Sequence, residues 1–333
     1  MALRVAVDAM GGDRAPEVVV EGALRAAQAA PAGLHVLLFG PEARLREELS
    51  KQGGDGARGI DVVDAPEVIG MGEAPAAAVK TKQRSSIHLG LLAHKQGQAD
   101  AFVSAGNTGA VMAAALFILG RLPSVARPSV MGFYPTTESY SVVLDMGTNV
   151  DCKPEHLVQF AKMGAIYARA VLKRENPVVA LMNIGEEPGK GNEQVKAAFE
   201  LLQQTPGLNF RGNIEGRDLL HHAADVVVCD GFVGNIMLKL GESLATAFPR
   251  MVAAEMQRLG LSPQEQQLVA RVLGGVQKRF NYEEYGGAPL LGVSGNVLIG
   301  HGGSTARAVE RMIQTAAEVA EQRIPAAITE ALG

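Results

Sequence analysis

The sequence predicts an α/β protein with an open, mainly parallel sheet covered by helices, and three observations carry that expectation. Short runs of Val, Ile, Leu and Ala alternate with amphipathic stretches of helical length. Most runs are apolar on both faces, as a parallel strand is when helices cover both sides of its sheet. Most also stop at glycine, where the backbone turns freely from strand into helix.

Taken in order, the strands are expected at LRVAVDA (3–9), LHVLLFG (34–40), IDVVDA (60–65), ADAFVSA (99–105), YSVVLDMG (140–147), PVVALMNIG (177–185), ADVVVCDG (224–231) and NVLIGHG (296–302). Between them lie helical stretches such as AVMAAALFILG (110–120) and a segment beginning near Glu73 to Pro75. From Leu268, the residues Val269, Val272, Leu273, Val276 and Phe280 recur at helical spacing beside a polar face. With 333 residues and 47% hydrophobic content, the chain buries a large core as one α/β domain spanning 1–333 or as two lobes.

Charge and cysteines narrow the function classes. A formal net charge of -4 lacks the basic footprint of a general nucleic-acid binder. Cys152 and Cys229 form no disulfide framework and no metal spacing; both read as small buried residues in a reducing cytoplasm. The N-terminus meets Asp8 before any signal-peptide core develops. AVMAAALFILG, at 11 residues, is too short to span a bilayer.

One corner is written twice. DAFVSAGNTGAVM (100–112) and DVVVCDGFVGNIM (225–237) share five identical positions at an offset of 125. Each reads as strand, tight turn, helix, from an old duplication or as two similar βα units of one sheet. In open α/β sheets, ligands sit beyond the carboxyl ends of the strands. Those ends read DAMGGD (Asp8, Gly11, Gly12), SAGNTG (Ser104, Gly106, Asn107, Thr108, Gly109) and DMGTN (Asp145, Asn149). The others are NIGEEPGKGN (Gly185, Lys190, Asn192), DGFVGN (Asp230, Gly231, Gly234, Asn235) and HGGST (His301, Ser304), and all six are expected at one edge. Glycine admits a ligand close to the backbone, and Asn, Ser and Thr add neutral donors beside free helical N–H groups, so the composition suits an anion.

Other chemistries are missing. Ser104 and Cys229 replace the first glycine of a dinucleotide fingerprint, and GEEPGKG has the wrong spacing for a phosphate loop. Ala306 breaks a serine-hydrolase elbow, leaving Ser304 as a helix cap. No histidine cluster suggests zinc or a covalent triad; His301 orients a ligand or bonds its own loop. The strand-end residues Asp8, Asp145 and Asp230 are expected to bond backbone amides rather than a metal. No cofactor is expected.

The set VAVDAMGGD-x-AP, SAGNTGA, D-x-G-x-NVD-x-KPEHL, KGNE (190–193), ADVVV-x-DGF-x-GN, YGGA (285–288) and HG-x-S closely resembles the bacterial phosphate acyltransferases, from about residue 3 to about 325. The resemblance implies conversion of acyl groups on acyl carrier protein, with inorganic phosphate, into acyl phosphates for phospholipid synthesis. It implies a three-layer α/β/α fold related to phosphotransacetylases and to isocitrate and isopropylmalate dehydrogenases, and a homodimer. It ties catalysis to Lys190 and Asn235; the plain alternative makes them a loop cation and a helix cap. The chemistry agrees, because phosphate near neutrality is already a nucleophile and needs an anion cradle and oxyanion donors rather than a base.

An acidic carrier protein calls for a local basic patch, either Lys80, Lys82 and Arg84, with Lys80 and Arg84 one helical turn apart, or Arg271, Lys278 and Arg279; a solvated helix face is the alternative. The segment near 250–282 faces a dimer partner or a membrane, which places the protein in the cytoplasm or at the inner face of the cell membrane. Three rival functions share parts of this reading: a phosphotransacetylase using coenzyme A, a decarboxylating dehydrogenase, and a noncatalytic scaffold for lipid enzymes.

Overall fold

Each of the eight expected apolar runs forms a strand in the computed structural model, which describes residues 2–30, 33–279 and 285–333. Phe280 and the side chains of Lys278 and Arg279 lie outside the described residues. In chain order the first elements are β1 (Leu3–Asp8), α1 (Glu17–Ala29), β2 (Leu34–Gly40), α2 (Glu42–Lys51), β3 (Ile60–Asp64), α3 (Pro75–Thr81), α4 (Ser86–Lys95), β4 (Ala101–Ser104), α5 (Thr108–Ile118), β5 (Ser129–Val130) and β6 (Gly132–Pro135). There follow β7 (Tyr140–Leu144), α6 (Pro154–Ala170), β8 (Val179–Met182), α7 (Glu193–Gln203), β9 (Phe210–Ile214), α8 (Gly216–Leu219), β10 (Val226–Val228) and α9 (Gly231–Arg258). The last are α10 (Pro263–Arg279), β11 (Ala288–Leu291), β12 (Val297–Ile299), α11 (Ala306–Glu321) and α12 (Ile324–Leu332).

The strands divide between two sheets, and the chain between two compact units. The first unit holds Met1–Met131, Ala165–Glu175 and Glu283–Gly333; the second holds Gly132–Gly164 and Asn176–Tyr282. The two similar corners are therefore not units of one sheet: SAGNTG follows β4 in the first, and DGFVGN follows β10 in the second.

In the first unit the order is β3-β2-β1-β4-β12-β11-β5, parallel from β3 to β12, with β11 antiparallel to both β12 and β5. Val5, Val7, Val36, Leu38, Ala101 and Val103 join one core with α1, α2 and α11. The opposite face takes α4, where Gly90 lies against the Phe102 ring. α11 buries Val309, Met312, Ile313, Ala316 and Val319 at helical spacing, so its apolar stripe faces the core.

In the second unit the order is β6-β7-β10-β8-β9, with β6 alone antiparallel. α6 packs on the sheet where Gly164 meets Val226 and Leu144, and α7 joins β9 through an edge-to-face pair of Phe199 and Phe210. α9 has a different character. Only Gly231 and Gly234 are buried along its 28 residues, while Phe232, Ile236, Leu240, Leu244, Phe248 and Met251 are exposed on a stripe three or four residues apart. α10 adds exposed Leu268, Val272 and Val276.

Four strands escape the sequence reading: β5, β6, β9 and β11. β5 has two residues, β6 and β11 contain proline, and β9 is an edge strand with a register shift and Gly212 at φ +109°. None offers the continuous apolar run that a central parallel strand requires. No helix among the described residues is long and apolar enough to cross a membrane.

Candidate active site

All six glycine corners leave the carboxyl ends of parallel strands, three in each unit. In the first unit, DAMGGD, SAGNTG and HGGST follow the neighbouring strands β1, β4 and β12. The Ser104 hydroxyl donates to Asp8 Oδ2 at 2.6 Å and accepts from the Gly106 amide at 3.0 Å. Asp8 Oδ1 accepts from the Met10 amide at 3.1 Å. A side chain on Gly11 would strike Asp8 Oδ2 and the Gly106 amide, so glycine is required there. Gly12, at φ +112°, sits against Gly302 O, to which the Asp13 amide donates at 2.8 Å.

Much of this corner's polarity is spent internally. Asn107 caps α5 by accepting from the Ala110 amide, and its Nδ2 donates to Met71 O and Glu73 O, both at 3.0 Å. Thr108 is exposed, with no side-chain partner among the described residues, and Gly109 lies against Pro75. His301 Nδ1 accepts from the Gly303 amide at 3.1 Å. Ser304 is not the helix cap that the sequence suggests. Its hydroxyl turns back to His301 O at 2.6 Å, and Thr305, one residue later, caps α11.

In the second unit, DMGTN, DGFVGN and NIGEEPGKGN follow β7, β10 and β8, with β10 in the middle. Asp145 accepts from the amides of Thr148 (2.8 Å) and Asn149 (2.7 Å) and from Asn149 Nδ2 (2.6 Å). Asp230 caps α9 through the Val233 amide at 2.8 Å. The Gly231 amide donates to Asn149 O at 2.8 Å, joining two corners. Gly234 approaches so closely that an added Cβ would lie 1.8 Å from Asp145 O.

Asn235 is not a helix cap either, since Asp230 takes that role. It lies one turn into α9, exposed, beside Gly147, and its amide has no partner among the described residues. Lys190 is likewise exposed, and its ammonium is unpaired among the described residues. The loop carrying it is braced by residues the sequence reading passed over. Asn183 Nδ2 donates to Lys190 O at 3.1 Å, and Asn213 Nδ2 donates to Glu187 O at 3.0 Å. Gly185 lies against the Lys190 side chain, and Asn192 caps α7. Asn183, at the end of an apolar strand, was the available signal; Asn213, in the poorly marked β9, offered none.

The three strand-end aspartates each bond backbone amides, and no group of three or more His, Cys, Asp or Glu residues among the described residues is arranged to hold a metal. Burial, reinforced by the nearby charges of Asp145 and Asp230, pushes the Cys229 thiol well above its usual range, which disfavours the thiolate. Cys152 is only half-buried, a departure from expectation: it lies on the exposed loop after DMGTN, where its thiol donates to Asn149 O.

The expected basic patch is partly neutralised. Lys82 pairs with Glu73 at 2.5 Å and donates to Val68 O, and Arg84 lies 3.7 Å from Asp64. Lys80 and Arg84 do not share a helical turn, because α3 ends at Thr81 and Ser85 caps the next helix. Lys80 is exposed and unpaired among the described residues.

The chain matches the family described as fatty acid synthesis protein over residues 3–327. It is 58% identical to a phosphate acyltransferase of Salinibacter ruber, across 99% of this chain and 98% of the relative. Among solved structures, a phosphotransacetylase from Streptococcus pyogenes superposes with a TM-score of 0.62 at 19% identity, covering 96% of this chain and 94% of that one. A 4-hydroxythreonine-4-phosphate dehydrogenase from Burkholderia phymatum gives 0.52 at 18% identity, covering 97% and 98%. These two likenesses carry the fold: an α/β architecture shared by transacylases and dehydrogenases.

Two predictions follow from these corners. Gly234→Ala should destabilise the protein by about 3 kcal/mol or more, because the Asp145 carbonyl is backbone and cannot swing away. Gly189→Ala, with no atom within 4 Å of the added Cβ, is the control, and thermal melts compare them. The second concerns pH. Burial raises the carboxyls of Asp8 and Asp145 above the ordinary aspartate range, against the pull of their hydrogen bonds. From about pH 4 up to the raised folded values, the native state holds more protons than the unfolded chain. Their stability contribution is full below that window and falls as pH rises through it. Asp145→Asn should therefore flatten the melting-temperature profile across the window relative to wild type.

Proposed function

The chain belongs to the phosphate acyltransferase family, and from that premise we propose that it moves a long-chain acyl group from acyl carrier protein to inorganic phosphate by direct attack, an early step of bacterial phospholipid synthesis. The observation that carries this reading is the pair Lys190 and Asn235. Both polar ends are exposed and unpaired among the described residues, and both stand on corners leaving the same edge of the adjacent parallel strands β8 and β10. Unspent donors at the carboxyl ends of adjacent parallel strands stand where the ligands of open α/β sheets bind.

In this reading the phosphate dianion attacks the thioester carbonyl carbon. The carbonyl electrons collect on oxygen, then return to expel the carrier's thiolate, leaving acyl phosphate. Lys190 balances the phosphate and the added charge of the tetrahedral intermediate; the Asn235 amide donates to phosphate or to the oxyanion. No enzyme nucleophile is needed, and the buried Cys229 thiol and the Asp8-bound Ser104 hydroxyl are poorly suited to be one. SAGNTG in the first unit is assigned to anion binding through the Thr108 hydroxyl and backbone amides.

We place carrier-protein docking at Lys80 and Arg84, with Lys82 held back by Glu73. The distal half of α9 and the exposed face of α10 are assigned to a homodimer contact, with the membrane surface as the rival cover. Val272→Asp with Val276→Asp should lower the mass seen by light scattering. If mass is unchanged and liposome sedimentation is lost instead, the face belongs to the membrane.

The reaction is tested with palmitoyl-acyl carrier protein and phosphate, trapping acyl phosphate with hydroxylamine. Lys190→Ala and Asn235→Ala should each slow single turnover roughly 100- to 1,000-fold while melting like wild type. Near-normal rates would end the assignment. Because phosphotransacetylases share the fold, palmitoyl-coenzyme A is run in parallel; equal or better use of it would favour that carrier.

A further inference from the structure

The second unit's corners carry a feature that the chemistry of phosphate does not use. Val150, Ile184, Phe232 and Ile236 are 56%, 80%, 59% and 50% exposed. Each belongs to one of the three adjacent corners around Lys190 and Asn235. Val150 lies in the loop after β7, one residue past DMGTN, Ile184 opens the loop after β8, and Phe232 and Ile236 stand on the first turns of α9. The hydrogen bond from the Gly231 amide to Asn149 O ties the backbones of these two corners together, and Val150 and Phe232 each follow a member of the bonded pair. Ile236 is one turn beyond Phe232 and directly follows Asn235. Ile184 is held at the root of the lysine loop by Asn183 Oδ1, which accepts from its amide at 2.8 Å. The first unit's corners after β1, β4 and β12 expose no large apolar side chain.

We propose that these four residues form the landing surface for the alkyl chain of the acyl substrate, with Phe232 and Ile236 setting chain-length preference. The inference rests on Lys190 and Asn235 being the reacting site. If phosphate is held there, the carbonyl carbon must come within bonding reach of it, and the alkyl chain must leave from that carbon. A long chain then runs over the apolar side chains of these corners, and covering them removes apolar surface from water on both sides. The farther residues of the stripe, Leu240 to Met251, stand away from the corners and are assigned elsewhere.

The test compares palmitoyl- and butyryl-acyl carrier protein as substrates and dodecylphosphonate against butylphosphonate as stable product mimics. Phe232→Ala and Ile236→Ala should raise KM for the palmitoyl substrate about tenfold with little change in kcat, and leave the butyryl substrate within about twofold. Dodecylphosphonate binding should weaken about tenfold and butylphosphonate binding little, whereas Lys190→Ala should weaken both. Each apolar substitution is separate, so one unfolded variant leaves the other. Equal effects on both chain lengths, or no effect on either, overturn the inference. So does a loss of dimer mass or liposome binding with chain-length preference intact, which would give the surface to a second copy or a bilayer. If wild type makes acyl phosphate from neither substrate, the parent reading fails and this one with it.

Discussion

The second unit depends on one backbone contact: the carbonyl of Asp145 occupies the space where a side chain at position 234 would begin. That contact sets α9 against the end of β7, and everything chemical about this edge follows. Asp145 then turns its carboxylate to the amides of Thr148 and Asn149, while Asn149 O receives the Gly231 amide. The loop after β7 and the start of α9 are thereby one hydrogen-bonded body. Asn235 projects from it beside Gly147, another position without a side chain. On the proposed reading this amide has to be held without being consumed, and neighbouring backbone does the holding.

The first unit meets the same demand with different groups. Its strand-end Asp8 is buried like Asp145, but bonds a serine hydroxyl where the other unit has a cysteine. At that matching position, Cys229 leans on Asp145 O, and Gly234 makes the close approach. Both solutions bury a carboxylate beneath a glycine turn and raise its proton affinity. Such a group is costly in a dry environment unless its acceptors are filled; Asp8 is filled by the Met10 amide and the Ser104 hydroxyl, Asp145 by turn amides and the Asn149 side chain. The strand-end acids are thus fasteners of the turns.

This explains what was legible in the sequence and what was not. The eight central strands were plain because a strand buried on both faces must be apolar throughout. The edge strands were hidden, since β6 and β11 tolerate proline and β9 a register shift. Division into two sheets was unreadable because the crossing from β5 to β6 takes a single residue, Met131, with no linker composition. At the site, glycine and capping residues announced the corners, but not which polar groups would be spent inside them. Asn107 and Asn235 look equivalent in sequence, yet one caps a helix and ties down residues 70–73 while the other stays open. That difference arises from offset: Asn107 precedes its helix, and Asn235 lies a turn inside it.

The chemistry of the reaction accounts for the rest of the pattern. A protein that had to make its own nucleophile would need a base poised near neutrality and a partner to orient it. Phosphate brings its charge with it, so the requirement shifts to holding a charged reactant beside an uncharged, apolar one. Those demands conflict in water, because donors that cradle an anion also solvate the surface an alkyl chain seeks. On the proposed reading the second unit separates them along one edge: lysine and asparagine supply the polar ends, while Val150, Ile184, Phe232 and Ile236 leave apolar surface open next to them. Exposed apolar groups at a strand edge cost solubility. Their place beside the unpaired polar groups is understandable if both halves of one amphipathic substrate must be met there.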